Sequence, residues 1–353
     1  MKFLVINLGS TSTKIAVYDH GEPVSEKELQ HDAELIASFA YPKDQFSMRL
    51  QAVEDYIREE DLDIASFTAV VSRGGNVIPV KPGAYEITEH MLDVLSDEIN
   101  PHISNTSPKV AWHLAQKYGL KSYIYDAVSC DELSEIARLS GTPRLPRFSV
   151  GHPLNQRAVG HKYAESIGKP YRDMNLIIVH MGGGCSVGMH EKGHIVDMMC
   201  DDEGGFSPER CGALFCGMLL EVMHRGIYSY EELRRMWRGE GGLVAYLGTN
   251  NVREVERRIW EGDAEAKQVF DAMVYQTAKV IGCMAGAYAG KVDAVLLTGG
   301  VAHSERWVNG LREKVSFIAP VAAFPGSFEM EAIAHGVERA LRGEEEIHVL
   351  EEG

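Results

Sequence analysis

The chain has 353 residues, more than one hydrophobic core comfortably organises, so two domains are the first expectation. Hydrophobic residues make up 45% and charged residues 24%, and no apolar run is long enough to span a membrane. The formal net charge of -16 opposes nucleic-acid binding, because phosphate backbones require a basic surface. The six cysteines form no C-x-x-C pair and the N-terminus lacks a signal-peptide pattern, so a cytoplasmic location is expected.

The first half of the chain begins with a predicted β-meander. Its strands and turns are Lys2–Leu8, the Gly9–Ser12 turn, Thr13–Asp19, a turn at Gly21, and Val24–Leu29. Apolar periodicity then predicts helix Met48–Arg58, strand Phe67–Val71, helices Glu89–Ile99 and Pro108–Tyr118, and strand Ser122–Tyr125. The proline-containing segment Gly141–Arg147 is the best linker candidate.

The second half repeats this pattern. The predicted elements are helix Asn155–Ser166, strands Asn175–Met181, Ser186–His190 and Ile195–Met198, helix Ala264–Tyr288, and strands Val292–Thr298 and Phe317–Val321. Apolar residues at helical spacing from Met330 to Leu341 predict a closing helix, with Gly343 after its end. The acidic tail Glu344–Gly353 is expected to be solvated.

The two predicted meanders have matching turns. The separation from Gly9 to Gly21 agrees within one residue with the separation from Gly182 to Gly193. Two meanders can resemble each other by chance, because such hairpins are common. The alternative interpretation is two related α/β domains that face each other across a cleft.

The turn of the first meander is rich in small hydroxyl residues. Gly9 allows close approach, Ser10 and Ser12 supply donors, and Lys14 supplies a cation, which suits a terminal phosphate. The Walker A pattern is absent. A polar hairpin tip without a ligand explains the same residues.

Two glycine-rich turns in the second half also permit close approach of a ligand. Gly182, Gly183 and Gly184 follow the strand that begins the second meander, and Gly299 and Gly300 follow a later apolar strand. In open α/β sheets, nucleotides approach the carboxyl ends of strands. A glycine run alone is weak evidence for such a site.

In their order along nearly the whole chain, these and further motifs resemble the acetokinase family of acetate and butyrate kinases. The matching segments are Val5–Lys14, Ser72–Gly75, Pro101–Asn105, Tyr125–Ala127, Gly151–Ala158, His180–Gly184, Phe206–Gly212 and Leu297–Gly300. Several ordered matches are more specific than any single motif. The segments around His152 and Arg210 are closer to the butyrate kinases than to the acetate kinases.

The resemblance implies catalytic roles for two arginines and two histidines. Arg73 and Arg210 would present bidentate guanidinium groups to the substrate carboxylate and the transferring phosphoryl group. His152 would donate to the phosphoryl oxygens in the transition state, and His180 would lie beside the nucleotide phosphates. Without the resemblance, a surface ion pair is the usual role of an arginine, and a structural role would be favoured for each histidine.

The resemblance also implies two acidic residues that organise Mg²⁺. They are Asp126, which would also serve catalysis, and Glu329, with Glu331 as an alternative two residues away. A few carboxylates together with water and substrate phosphates are the usual ligands of Mg²⁺.

The remaining implied contacts divide between the acid and the nucleotide. The residues implied for acid binding are Arg73, His102, Asn105, Gly151 and Arg210. The residues implied for nucleotide binding are Asn7, Ser10, Ser12, Lys14, His180, Gly182, Gly183, Gly184, Asn251, Arg253, Gly299 and Gly300.

Two positions depart from related patterns. Asn7 stands where sugar kinases, Hsp70 and actin carry an aspartate, which favours the acid-kinase branch. Gly151 stands where acetate kinases carry an aromatic residue, and the missing ring is expected to enlarge the acyl pocket. About two additional buried CH₂ groups would then favour butyrate over acetate by about tenfold, and branched acids are equally allowed.

The resemblance implies an α/β fold of two ribonuclease H-like (actin-like ATPase) domains, with mixed five-stranded sheets flanked by helices and a cleft between them. The expected domains are residues 1–147 plus 331–353, on the acid-binding side, and residues 148–330, on the nucleotide-binding side. The implied activity is reversible, Mg²⁺- and ATP-dependent phosphorylation of butyrate or a branched relative by a homodimer or higher homo-oligomer. An acetate kinase, a sugar kinase and a non-enzymatic Hsp70- or actin-like nucleotide switch are the alternatives.

Overall fold

A computed structural model describes residues 1–75, 79–95 and 102–351 of the chain. The chain forms two compact units, the first made of Met1–Asp131, Pro153–Ala158 and Phe328–Gly353, and the second of Glu132–His152 and Val159–Ser327. The predicted domains, residues 1–147 plus 331–353 and residues 148–330, stay a prediction. Within the described ranges, no helix combines the length and apolar character needed to cross a bilayer.

Twelve strands and thirteen α-helices lie in the described part of the chain. The strands are β1 (Lys2–Leu8), β2 (Ser12–Asp19), β3 (Glu22–Gln30), β4 (Ala69–Arg73), β5 (Ala84–Glu86), β6 (Lys121–Tyr125), β7 (Asn175–Met181), β8 (Cys185–Glu191), β9 (His194–Met199), β10 (Ala294–Gly299), β11 (Val321–Pro325) and β12 (Ile347–His348). The helices are α1 (Ala33–Ser38), α2 (Phe46–Glu59), α3 (Glu89–Val94), α4 (Thr106–Tyr118), α5 (Glu135–Arg138), α6 (Pro153–Ser166), α7 (Cys216–His224), α8 (Tyr230–Trp237), α9 (Gly242–Leu247), α10 (Val252–Trp260), α11 (Ala264–Ala287), α12 (Glu305–Val315) and α13 (Glu329–Leu341).

The two units contain sheets that share the order of five strands. In the first sheet the order is β12-β5-β6-β4-β1-β2-β3, and in the second it is β11-β10-β7-β8-β9. Each sheet contains an antiparallel meander, and two further strands continue from the first strand of that meander in parallel. The predicted internal repeat is therefore present as a repeat of strand order.

The first sheet is wider than predicted. Five strands, from β6 to β3, form the predicted part, and the short strands β5 and β12 bring the described total to seven. The second sheet has the predicted five strands within the described residues.

Strand β1 is buried on both faces, which explains its continuous apolar sequence. Its side chains alternate, so Leu4 and Ile6 pack into the layer that contains α2 and α4, while Phe3 and Val5 pack into the layer that contains α13. Each fully buried side chain of this size contributes about 1.5–3 kcal/mol to the stability of the fold. The burial of β1 therefore fixes the position of its carboxyl end, where the predicted phosphate turn begins.

The core of the second unit is built around α11, a helix of 24 residues. Phe270 and Met273 of this helix are fully buried with Ile177 and Val179 of β7 and with Trp307 of α12. Packing on β7 and β10 holds the carboxyl ends of these strands, where the glycine turns begin.

Two predictions near the C-terminus are wrong. The strand predicted at Phe317–Val321 lies further along the chain, because Val321 pairs with Val295 of β10 and Phe317 is exposed after α12. The tail predicted to be solvated forms β12, which pairs with β5, and it buries Leu350. Residues 352 and 353 lie outside the described residues.

The predicted helix Glu89–Ile99 is described only as α3, because residues 96–101 lie outside the described residues. Four helices between residues 216 and 260, α7 to α10, were not predicted. The predicted linker Gly141–Arg147 contains no helix or strand. Its last residue is nonetheless anchored, since Arg147 forms ion pairs with Asp197 at 3.1 Å and Glu203 at 2.6 Å.

Candidate active site

Three predicted residues meet at the carboxyl edge of the first sheet. The Nδ2 atom of Asn7 donates to Oε2 of Glu329 at 2.7 Å, and Nη1 of Arg73 lies 3.5 Å from the same oxygen. Asn7 is only 5% exposed, and its Oδ1 atom has no hydrogen-bond partner among the described residues. A buried acceptor beside a carboxylate and a guanidinium can bind a ligand or a cation.

Two glycines bring further predicted motifs to this edge. A Cβ on Gly74 would lie 2.6 Å from Cα of Ala127, and a Cβ on Gly75 would lie 2.7 Å from Oδ1 of Asn105. Both distances are too short for any side chain. The segments that carry Arg73, Asn105 and the end of β6 therefore lie in contact.

His102 has a defined tautomer when its ring is neutral. Its Nδ1 atom accepts the backbone N–H of Ser104 at 3.2 Å and lies 2.6 Å from the Ser104 hydroxyl. A ring nitrogen that accepts carries no proton, so the proton of the neutral ring is on Nε2. Asn105 is fully buried, and its predicted contact with the acid stays a prediction. Pro101 of the same motif lies outside the described residues.

Asp126 lies just beyond β6 and is 1% exposed. Its Oδ1 accepts the Gly83 N–H at 2.9 Å, and its Oδ2 lies 3.3 Å from Nε of Arg157. Its charge is thus compensated by an arginine that the sequence analysis did not single out. The available signal was the position of Arg157, five residues after His152 in the same motif.

The predicted phosphate turn between β1 and β2 is closed by a hydrogen bond from the Gly9 N–H to the Ser12 carbonyl at 2.9 Å. Ser10 is exposed and Ser12 is buried. Lys14, the predicted cation, lies within β2 and forms an ion pair with Glu28 at 3.6 Å.

A different cation contacts this turn. Nη1 of Arg49, on α2, donates to the carbonyl oxygen of Ser12 at 2.7 Å, and the residue is fully buried. Arg49 was not predicted, because an arginine on an amphipathic helix normally lies at the surface.

Two histidines stack in the second unit. The rings of His152 and His180 have centroids 3.9 Å apart and planes inclined by 6°. Nδ1 of His152 lies 2.9 Å from Oγ of Ser186, the residue that pairs with His180 across β7 and β8. This contact and the stacking orient the His152 ring at the carboxyl end of β7.

Gly151 does not open a pocket in the direction of a side chain. A Cβ at this position would lie 2.9 Å from Sδ of Met198 and 3.0 Å from Cβ of Ser186. The space expected from the missing aromatic ring is therefore filled in that direction by other side chains. The predicted contact of Gly151 with the acid stays a prediction.

The glycine turn after β7 is bound to the predicted arginine segment. The Gly183 carbonyl accepts the Ser207 hydroxyl at 2.6 Å and the Glu209 N–H at 2.9 Å. A Cβ on Gly183 would lie 2.8 Å from Oε2 of Glu209, so a side chain at this position would displace the Glu209 carboxylate. Arg210 is thereby positioned beside the turn.

Arg210 faces two carboxylates. Its Nη1 lies 3.3 Å from Oε2 of Glu209, and its Nε lies 3.7 Å from Oδ2 of Asp201. Burial raises the pKa of Asp201, while the hydrogen bond from the Cys185 N–H and the charge of Arg210 oppose this shift. Asp201 was not predicted, because no sequence motif marks it.

Asn251 and Arg253, which are predicted to lie near the nucleotide base, belong to the segment that begins α10. Asn251 is exposed, and its side chain accepts the backbone N–H of Arg253 at 3.1 Å as the N-cap of α10. The neighbouring Asn250 donates to Oε1 of Glu209 at 2.7 Å, which ties this segment to the glycine turn. Capping explains the Asn251 side chain without a ligand, so base contacts by Asn251 and Arg253 stay predictions.

Gly299 is required by its geometry, and Gly300 is open to solvent. Gly299 has a φ of +90°, and a Cβ there would lie 2.3 Å from the Met181 carbonyl oxygen. A Cβ on Gly300 would meet nothing within 4 Å. The end of β10 therefore packs against Met181, just before the glycine turn, and Gly300 is exposed.

The structure thus assembles two groups of predicted residues. Asn7, Arg73 and Glu329 meet in the first unit, and the His152–His180 pair and Arg210 lie around the glycine turn of the second unit. Both groups can donate to, or neutralise, phosphoryl oxygens. The convergence of Arg73 with His152 and Arg210 stays a prediction.

Comparison with known proteins supports the resemblance to the acetokinase family. Residues 150–316 match the model of the acetokinase family. The chain is 42% identical over 348 residues to butyrate kinase 2 of Clostridium acetobutylicum, covering 98% of each protein.

Solved structures confirm the predicted fold class. The acetate kinase of Porphyromonas gingivalis matches with a TM-score of 0.79 at 18% identity, covering 96% of this chain and 99% of that one. A propionate kinase from Francisella tularensis matches with a TM-score of 0.76 at 17% identity, covering 95% and 98%. The extended sequence identity and the shared fold lead to one conclusion: the chain belongs to the acetokinase family.

Proposed function

We propose that this protein transfers the terminal phosphoryl group of ATP to a short-chain carboxylic acid, butyrate or a branched relative, and forms the acyl phosphate reversibly. The observation that carries the proposal is the 42% identity to a butyrate kinase over 98% of both chains. The likeness to the solved acetate and propionate kinases concerns the fold, because identity there is below 20%.

The charges of the site support this chemistry. A carboxylate that attacks a phosphoryl group meets like-charge repulsion, so catalysis depends on positioning and on neutralising charge. Arg210 and His152 would meet the phosphoryl oxygens, and Arg73 would bind the acid. The stacked rings of His152 and His180 restrain the orientation of the donor before the substrates bind.

The residues of the first unit fit a magnesium ion carried by ATP. Asn7 provides a buried carbonyl oxygen with no partner among the described residues, and Glu329 provides a carboxylate 2.7 Å from the Asn7 amide nitrogen. Oxygen ligands with one or two carboxylates suit Mg²⁺. When bound, the ion offsets the charge of the phosphate oxygens. Glu329 is the favoured carboxylate, because it contacts Asn7, whose Oδ1 atom has no partner among the described residues.

Homo-oligomerisation is supported by an exposed apolar surface on the second unit. Helix α7 buries none of its residues. The large exposed apolar side chains in and around this helix are Leu214, Phe215, Met218, Leu220, Met223, Ile227, Tyr228 and Tyr230. Apolar surface of this extent marks an interaction site, and a second copy of the chain is the simplest partner. Light scattering should show a dimer or larger assembly that Met218→Glu with Leu220→Glu dissociates.

The activity can be tested by trapping the product. Incubation with ATP, Mg²⁺, butyrate and hydroxylamine should yield a hydroxamate, because hydroxylamine captures acyl phosphates. ADP release with glucose but without hydroxamate would indicate a sugar kinase. ATP turnover that is independent of any acid would indicate a nucleotide switch. The cytoplasmic location stays a prediction.

The acid preference can be tested in the same assay with acids from two to five carbons. We expect kcat/KM for butyrate or isobutyrate to exceed that for acetate by about tenfold, because additional buried CH₂ groups stabilise the bound acid. Gly151 cannot be the cause through its Cβ direction, which Met198 and Ser186 occupy. An optimum at acetate would contradict the butyrate assignment and leave the acetate-kinase alternative.

A further inference from the structure

The turn between β1 and β2 lies over a buried arginine. The guanidinium of Arg49 contacts this turn, from Gly9 to Thr13, through four oxygens. Its Nη1 donates to the Ser12 carbonyl at 2.7 Å and to the Thr13 hydroxyl at 3.0 Å. Its Nη2 donates to the Gly9 carbonyl at 3.1 Å and to the Ser10 carbonyl at 3.2 Å.

The Nε–H group of Arg49 also has an acceptor, which it shares with Nη2. Oε1 of Gln45 accepts from Nε at 3.1 Å and from Nη2 at 2.8 Å. The five N–H groups of a guanidinium form a planar fork, and here every nitrogen has an acceptor. The side chain is fully buried, so this geometry is rigid.

The positive charge of Arg49 has no anionic partner in the described residues. Its acceptors are three carbonyl oxygens, one hydroxyl and one amide oxygen. Burial lowers the pKa of Arg49 to about 10, so the group is charged at neutral pH. The pKa of His31, which contacts Thr13, is lowered first by burial and then by the charge of Arg49. An uncompensated cation therefore lies beneath the turn.

The direction of the carbonyl groups determines the direction of the N–H groups. In a trans peptide the C=O of one residue and the N–H of the next point in opposite directions. The Gly9 and Ser10 carbonyls point towards Arg49, so the N–H groups of Ser10 and Thr11 point away from it. Ser10 and Thr11 are exposed, and within the described ranges these two N–H groups donate to no protein acceptor.

We infer that Arg49 is a positioning residue for phosphate binding. It holds the turn so that two successive N–H groups face the terminal phosphate of a nucleotide, and it adds a buried positive charge behind them. Successive N–H groups of this kind bind anions. The inference rests on the proposed function in that the ligand is the phosphate of ATP.

Two variants separate the geometry of Arg49 from its charge. Arg49→Lys keeps the charge and loses the planar fork. Gln45→Glu keeps the fork and, being isosteric, places a carboxylate against the guanidinium, which cancels the charge. Arg58→Gln is the matched control, because Arg58 lies on the same helix and its side chain is 72% exposed.

We expect each of the two variants to raise the Kd for ATP, measured by calorimetry, by about tenfold, because hydrogen bonds to charged groups contribute substantially to binding. KM for ATP should rise by the same factor, while KM for butyrate should change by less than about twofold. Arg58→Gln should match the wild type. Gln45→Glu should melt no lower than the wild type, because a buried guanidinium gains a charged partner.

The inference is overturned if folded Arg49→Lys and Gln45→Glu both bind ATP within twofold of the wild type. It is also overturned if both substrates lose affinity equally as the melting temperature falls, because that pattern indicates a structural role only. If Arg49→Lys does not fold, Gln45→Glu decides alone. Calorimetry with ATP needs no acid, so its result stands even if the wild type forms no hydroxamate, an outcome that rejects only the proposed acid kinase activity.

Discussion

The first turns of the two meanders are equivalent in topology, but the charged groups packed against them differ. The turn between β1 and β2 has the guanidinium of Arg49 beneath it and no carboxylate paired with that charge in the described residues. The turn between β7 and β8 has two carboxylates against it, since Cβ atoms on Gly183 and Gly184 would lie 2.8 Å from Glu209 and 3.0 Å from Asp201.

This difference shows that the repeat determines the strand order and the turn shape, but not the charged groups around each turn. Strand order and turn shape are shared, but the charge beneath each turn comes from elements outside the meander. The penultimate strand residues differ as well, because Asn7 bonds to Glu329 while His180 stacks on His152. Under the proposed function, the first turn would attract a phosphate directly, whereas the second turn would need Arg210 to offset the charge of Glu209 and Asp201.

The largest expected effect tests that dependence. Arg210→Gln should lower kcat/KM by about a hundred- to a thousandfold, because it removes a donor to the transition state and leaves two carboxylates uncompensated. Steady-state kinetics would measure the loss. Arg257→Gln, at an exposed ion pair in the same unit, is the control and should retain wild-type activity. Near-normal activity of Arg210→Gln would show that the second turn needs no such compensation.

The histidine pair has no equivalent at the first turn, where Asn7 occupies the position of His180. His152→Asn should lower kcat by about a hundredfold with little change in KM for ATP, because a donor to the phosphoryl group acts mainly in the transition state. His180→Phe keeps a ring against His152 and should lose less. Equal losses in the two variants, measured by kcat, would instead give the two rings the same role.

The second turn is also held by backbone contact, and this can be disturbed separately. Gly299→Ala should lower the free energy of unfolding by about 2 kcal/mol, because φ is +90° and the new Cβ would lie 2.3 Å from the Met181 carbonyl. Denaturant titration measures this change. Gly300→Ala, which meets nothing within 4 Å, should leave the free energy of unfolding nearly unchanged. Similar stabilities for the two variants would show that the close approach is not needed.

The smallest effect concerns the charge of the second turn itself. Glu209→Gln should lower the Kd for ATP without Mg²⁺ by about three- to tenfold, because it removes a like charge close to the phosphates. The gain should shrink when Mg²⁺ is present. Glu261→Gln, an exposed carboxylate of the same unit, is the control for calorimetry. An unchanged Kd would place the phosphates away from this turn.

The local pattern of apolar and polar residues was sufficient to predict most of the strands and long helices. Strand β7 coincides with its predicted bounds, and α11 differs by one residue at its C-terminus. Such segments follow from side-chain alternation and helical spacing, which are properties of neighbouring residues. The displaced strand β11 and the pairing of β12 depend on distant partners, β10 and β5, and no local pattern encodes them.

The site was predictable where a motif carried it. Arg73, Asn7 and Glu329 were named from separate segments, and Asn7 and Arg73 each lie within hydrogen-bond or ion-pair distance of Glu329. Arg49 and Arg157 were missed because their function depends on the group that each one faces. The position of an arginine in the sequence does not reveal whether its partner is a solvated carboxylate, a buried aspartate or several backbone carbonyl oxygens.

The amino-acid sequence by itself determined the family, the two meanders and the identity of the residues at each strand end. Tertiary structure alone decided which charge lies beneath each turn, because a charge acts through distance and burial and its partners are far apart in the chain. Arg49 lies about forty positions from the turn that it supports, and only the packing of α2 against β2 brings them together.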